Sequence, residues 1–229
     1  DYGDVVLTAT AEKVFGITNI GDYPASAMSA SALVAPFAFK GGAYPGTGGT
    51  CGASLAAGAT CYLAIEYSPT TTGGHSDTIA ISYNDSDAAQ SAFRTIIGTG
   101  ATAANLTISN TNYDYGSLPI GATAEKTYTV TNTGGVSART IAGGGLAAPF
   151  TFKGGNYPGT GGTCAGTLAR TATCTIVVTY APTATGLHTD SIELTYNDGL
   201  GAQTATNPIQ GTGVTPANIT ISGGTTYNF

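Results

Sequence analysis

Short apolar-polar alternations recur along the chain. Phe15, Ile17 and Asn19 take one phase against Val14, Gly16 and Thr18, and Tyr128, Val130 and Asn132 do the same against Thr127, Thr129 and Thr131. A period of two buries one set and leaves the other in solvent, the pattern of a half-buried strand. Cys61, Leu63, Ile65 and Tyr67 line one face of a second predicted strand, matched by Cys174, Ile176, Val178 and Tyr180. Ile79, Ile81 and Tyr83, matched by Ile192, Leu194 and Tyr196, line a third. Turn signals separate these runs, among them Asn132-Thr133-Gly134-Gly135 and Tyr196-Asn197-Asp198-Gly199. No stretch of ten residues keeps a helical period. The expected fold is all-β, with two tandem immunoglobulin-like antiparallel β-sandwich domains.

Two domains follow from an internal repeat. Asp1-Tyr2-Gly3 returns 113 positions on as Asp114-Tyr115-Gly116, and the same offset carries Lys40 to Lys153, Pro69 to Pro182, His75 to His188 and Gly98-Thr99-Gly100 to Gly211-Thr212-Gly213. Asn105 to Tyr115 leads into the second unit, and a close copy begins at Asn218. The expected division is 1–100, a repeat lacking its first strand; 101–213, a complete repeat; and 214–229, the leader strand of a third repeat or a donor strand for a neighbouring chain.

The residue order also resembles a known family. Asp114-Tyr115-Gly116, the run Tyr128 to Gly135, Pro149-Phe150, Cys164 through Leu168 to Cys174, Tyr180-Ala181-Pro182, Gly186, Tyr196-Asn197-Asp198 and Gly211-Thr212-Gly213 resemble the abnormal-spindle/hydin (ASH) type of immunoglobulin-like repeat, the choice-of-anchor D type of bacteria. The resemblance covers both units. It implies tandem surface or scaffold modules on a bacterial cell and supplies no catalytic residue to carry over.

Composition narrows the function. Only 9% of the 229 residues are charged, beside 34 glycines and 13 tyrosines, against about a quarter in an average globular protein. Helical bundles and coiled coils do not fit that profile, and a 41% hydrophobic content is enough to bury a core. Seven scattered Lys and Arg at a net charge of -6 make no nucleic-acid surface. No apolar run reaches the ~18 residues of a membrane helix, and any export signal is expected to have been removed or to lie outside this sequence.

The four cysteines form two pairs at one spacing, Cys51 with Cys61 and Cys164 with Cys174. Each bracket a turn-like segment, which reads as one local disulfide per domain and an oxidising, extracellular compartment. Half of a zinc site is the rival, against which stand the absence of C-x-x-C and the single His per unit. The loop Lys40 to Cys51 recurs as Lys153 to Cys164 with only Ala43 and Asn156 different. Packing at a domain junction, with Lys40, Tyr44, Pro45, Lys153, Tyr157 and Pro158 as the inter-domain residues, is the leading account, and exposed ligand recognition the other. It is no phosphate loop, since the Gly-Lys-Ser/Thr ending is missing.

Other candidates have plainer readings. His75 and His188 each head an H-x-D step with Asp77 and Asp190, expected as hydrogen-bonded strand ends. Asp85 and Asp87 are expected in a hairpin turn before a calcium site. Lys13 and Lys126 are conceivable isopeptide donors without a repeated Asn or Asp partner. Asn84, Asn105 and Asn218 head formal glycosylation sequons. No nucleophile motif or repeated carboxylate pair is present, so no enzyme and no cofactor or metal is expected.

The expected function is structural: an extracellular fibre, filament or adhesin stalk at the cell surface, assembled from head-to-tail repeats. Assembly takes one of two forms. Either the chain continues covalently into further repeats, or the tail, through Asn218, Ile219, Ile221, Tyr227 and Phe229, completes the sandwich of the next chain by strand donation. The alternative is a carbohydrate- or protein-binding surface module on a larger envelope protein. A coplanar, exposed row among Tyr44, Tyr113, Tyr115 and Tyr157 would mark it.

Overall fold

Residues 1–221 are described here from a computed structural model. They contain strands and no helix, in two compact units, Asp1–Ala104 with Gly134–Val136 and Asn105–Thr133 with Ser137 onward.

In the first domain, one sheet has the order β1-β7-β6-β3, formed by β1 (Asp4–Val6), β7 (Ala89–Ala101), β6 (Gly73–Asn84) and β3 (Ser26–Ala30). The facing sheet is β2-β5-β4, from β2 (Ala11–Thr18), β5 (Thr60–Tyr67) and β4 (Phe37–Phe39). The apolar phases of β5, β6 and β7 meet between the sheets as Leu63, Ile65, Tyr67, Ile79, Ile81 and Ile96. Phe37 stacks on Tyr67 with ring centroids 4.7 Å apart.

The second domain repeats this plan and adds to it. Its sheets are β13-β11-β15-β16-β9 and β12-β14-β10-β8. The first comprises β13 (Thr167–Leu168), β11 (Ala138–Gly144), β15 (Gly186–Asn197), β16 (Ala202–Val214) and β9 (Tyr113–Pro119); the second, β12 (Phe150–Phe152), β14 (Thr173–Tyr180), β10 (Ala124–Asn132) and β8 (Leu106–Ile108). Phe150 stacks on Tyr180 as Phe37 does on Tyr67.

Pairing departs from the antiparallel expectation at one place in each domain. β1 runs parallel to β7, and β9 runs parallel to β16. In the second domain the reason is visible: β8 pairs antiparallel with β10 in one sheet, and the chain then crosses to the other sheet as β9. A strand that changes sheets meets a neighbour whose direction its own sequence does not set.

Candidate functional site

The repeat offers an internal comparison at one sheet edge. β10 lies between β14 and β8, whereas its counterpart β2 has β5 on one side and ends the sheet on the other. β8 seats on β10 with Leu106 opposite Asn132, Thr107 opposite Thr131 and Ile108 opposite Val130. Alternation points Leu106 and Ile108 inward, where they are 4% and 9% exposed. Polar contacts hold the segment. Asn105 N donates to Asn132 Oδ1 (3.2 Å), Leu106 N to Tyr196 Oη (3.3 Å), and Asn207 Nδ2 to Ser109 O (3.0 Å). Thr133 N donates to Asn105 O, and Ser109 N to Thr129 O, at 2.8 and 2.9 Å.

Under that cover Tyr128, Val130, Asn132, Tyr196, Ala205 and Asn207 are buried. Their first-domain counterparts, Phe15, Ile17, Asn19, Tyr83, Ala92 and Arg94, are half-buried or exposed. Two adjoining clefts mark the place. One of about 410 Å³ is lined by Ile17, Met28, Leu55 and Ile81, and one of about 380 Å³ by Phe15, Leu63, Ile79 and Phe93. Asn19 keeps half of the polar pattern: its Nδ2 donates to Leu55 O (3.0 Å), as Asn132 Nδ2 donates to Leu168 O (3.1 Å). Its Oδ1 accepts from Gly21 N (3.1 Å), the place that an incoming strand amide holds on Asn132. Sequence reasoning passed over this asparagine. The signal was a polar residue at a buried phase, repeated in both units.

The cysteines pair as expected, Cys51 with Cys61 and Cys164 with Cys174. Each bridge ties the end of the glycine-rich loop to the start of β5 or β14. The loop is restrained from within its own domain. Ala64 N donates to Pro45 O (2.9 Å) and Lys40 N to Ala64 O (2.9 Å), and Val177, Pro158 and Lys153 repeat both bonds. Lys40 and Lys153 meet Glu12 and Glu125 at 2.6 and 2.8 Å. Hydrogen bonding to Glu12 raises the Lys40 ammonium above its ordinary value. Tyr44 packs edge-on against Phe39, and Tyr157 against Phe152, each inside its own domain. These contacts restrain the loop within its own domain.

The other candidates resolve as support for loops and cores. Asp77 accepts from Val34 N and Thr78 N, and Asp190 from Ala147 N and Ser191 N, all at 2.7 to 2.8 Å. Nδ1 of His75 and of His188 shares a hydrogen bond with the hydroxyl of Tyr67 and of Tyr180, at 2.7 and 2.9 Å. Asp85 closes its hairpin by accepting from the amides of Asp87 and Ala88. Lys126 lies 4.6 Å from the Tyr113 ring centroid and Lys13 5.7 Å from that of Tyr2. Tyr113 meets Tyr115 at 87°, and Tyr115 leans on Phe150 and Tyr180, so these rings do not form a coplanar row. Burial pushes the Tyr2 hydroxyl up to about 12 and raises that of Tyr115 further. Both donate to a backbone carbonyl, of Ile65 and Val178 respectively. Among the described residues no group of three or more His, Cys, Asp or Glu is placed to hold a metal ion, and no helix is long and apolar enough to cross a membrane.

In the tail, Asn218, Ile219 and Ile221 are exposed and in no strand; the side chains of Ile219 and Ile221 are 89% and 92% exposed. Tyr227 and Phe229 lie outside the described residues.

Among the described residues, sandwiches of seven and nine strands, each with one local disulfide, define a tandem immunoglobulin-like module. The HYDIN/CFA65/VesB-like Ig-like domain matches it twice, over residues 1–99 and 104–212, and the chain belongs to that family. No curated protein sequence matches. Among solved structures, an ASH/PapD-like domain of human CEP192 is similar at 16% identity and TM-score 0.39, over 50% of this chain and 89% of that one. The Vibrio cholerae VesB protease is similar at 19% identity and TM-score 0.39, over 48% and 32% of the two chains. Domains 4 and 5 of the S-layer protein SbsC are similar at 12% identity and TM-score 0.30, over 64% and 69%.

Proposed function

We propose that the chain is a non-catalytic structural element of an extracellular fibre or adhesin stalk on a bacterial surface, built by head-to-tail succession of these domains. One observation carries the reading: both domains repeat the same core, disulfide and loop, and the residues that could have done chemistry are spent on holding loops and rings. A module whose repeated features are all mechanical serves by its length and resistance, and stacking further copies extends it. Few charges leave little for salt to screen, and a disulfide in each domain suits an oxidising compartment.

Electron microscopy of native surface material labelled with an antibody to this chain tests the reading. Labelled unbranched filaments or stalks with a regular axial repeat are expected. Label confined to compact particles, with retention of the purified chain on a glycan column, would overturn it in favour of a binding module. The denatured, non-reduced mass then separates the forms: about 22.7 kDa for a discrete subunit, or several-fold more for a covalent array.

A further inference from the structure

The second domain carries a cleft whose lining departs from the repeat. It measures about 260 Å³ and lies between β11 and the glycine-rich loop, with Gly143, Gly144, Gly145, Thr151, Asn156 and Tyr157 on its walls. At the offset of 113 the first domain has Ala30-Ser31-Ala32 for the three glycines, Ala38 for Thr151 and Ala43 for Asn156. Asn156 is the one side chain in which the two copies of the loop differ. Glu193, paired with Gly144 across β11 and β15, is exposed at the rim, where its Oε2 is 3.4 Å from the place of a Cβ on Gly145; its counterpart is Ala80. Thr151, Asn156 and Glu193 thus all stand where the first domain has alanine. The glycines also change the tyrosine. A Cβ on Gly143 would lie 2.2 Å from the Tyr157 ring, so the ring occupies a place that the methyl group of Ala30 closes in the first domain. Tyr44 donates its hydroxyl to Gly52 O (3.2 Å), whereas the Tyr157 hydroxyl is buried with no hydrogen-bond partner among the described residues. Such a group is costly in a core that serves stability alone, and a ligand can satisfy it.

We propose that this cleft binds one neutral pyranose residue of a glycan. The proposal goes beyond the fibre reading and does not depend on it. The volume falls below that of a drug-sized pocket and suits a single ring. Thr151 and Asn156 offer both donors and acceptors, and the Glu193 carboxylate accepts from sugar hydroxyls at the rim. Leu146 supplies an apolar contact for the C–H face of the ring, and the Tyr157 hydroxyl gains its partner on binding. The same carboxylate, with no basic side chain lining the cleft, disfavours phosphates and acidic sugars. A single carboxylate is also a poor ligand set for calcium.

Amide NMR of the purified, isotope-labelled 229-residue chain tests the site, by titration with the methyl glycosides of glucose, galactose, mannose and N-acetylglucosamine. At least one is expected to shift the amides of Gly144, Gly145 and Asn156 with a dissociation constant on the order of 1 mM, the affinity that about a dozen heavy atoms give at ordinary efficiency. Ser31, Ala32 and Ala43 in the same sample are the control and should not move. Asn156→Ala and Glu193→Ala each install the residue of the first domain, so the fold is expected to be unchanged while binding weakens at least about fivefold. Tyr157→Phe should weaken binding and leave the free chain no less stable, since the hydroxyl it removes has no partner to lose. The proposal is overturned by no response to any of the four sugars at about 50 mM, by equal shifts in the first domain, or by an equal response to glucuronate or calcium. Binding that all three variants leave unchanged overturns it too. Filaments on the cell without these shifts would sink the site and leave the fibre reading standing; these shifts with label on compact particles would do the reverse.

Discussion

Several repeated residues are explained by contacts of a single atom. A Cβ on Gly98 would lie 2.6 Å from the Tyr67 ring, and one on Gly100 only 2.1 Å from Thr71 O; Gly211 and Gly213 meet Tyr180 and Ala184 O at the same distances. The Gly-Thr-Gly motif thus lets β7 and β16 pass close over a buried tyrosine and a turn carbonyl. Gly213→Ala is expected to lower stability by about 1–3 kcal/mol, since a backbone carbonyl yields less readily than a side chain. Urea unfolding at neutral pH reads the loss. The motif was plain in the repeat, but its partners sit about thirty residues away and are set by the fold. Asp198 makes a pH prediction. Hydrogen bonds from Gly201 and Leu200 hold its carboxyl below the ordinary 3.8. A lowered folded value stabilises above the unfolded value, and that contribution is lost as pH falls from about 3.9 through the folded one. Asp198→Asn should therefore be less stable than the parent at pH 7 and approach it at pH 2, and equal gaps at both pH values would refute the assignment.

At the scale of elements, the disulfides matter because their loops are short and local. Each closes a sequence separation of 10 residues between the glycine-rich loop and a central strand, worth about 3 kcal/mol in the chain-entropy model. Cys164→Ser with Cys174→Ser is expected to lower the stability of the second domain by about 2–4 kcal/mol, read by chemical denaturation. The loop should follow: its hydrogen exchange at Val177, whose amide reaches Pro158 O, should speed up. The strands themselves were legible, since β5, β6, β14 and β15 fall where the period-two runs predicted. The parallel placement of β1 and β9 was not, because a short run carries its own alternation but no record of its neighbour's direction. Near-identity of the loop signalled restraint, and the contacts to Ala64 and Val177 supply restraint within each domain.

At the scale of the molecule, one domain has a covered edge and the other an open one. Thr129 N donates to Ser109 Oγ at 2.8 Å and Thr133 N to Asn105 O at 2.8 Å; β2, the counterpart of β10, has β5 on one side and ends its sheet on the other. In the isolated 229-residue chain, hydrogen exchange should be faster at Gly16 and Ile20 than at Thr129 and Thr133. Equal protection in a dilute, monomeric sample would argue that the edge is already covered. The repeat, the all-β class, the strand positions and the cysteine pairs could be read along the line of the chain, because alternation, turns and spacing are short-range properties. The cleft beside Tyr157, the sheet change of β8 and β9, and the work done by Asn19, Asp77 and the Gly-Thr-Gly glycines were decided in three dimensions. Each depends on which distant backbone comes within hydrogen-bond or van der Waals reach, and side-chain pattern alone does not specify that.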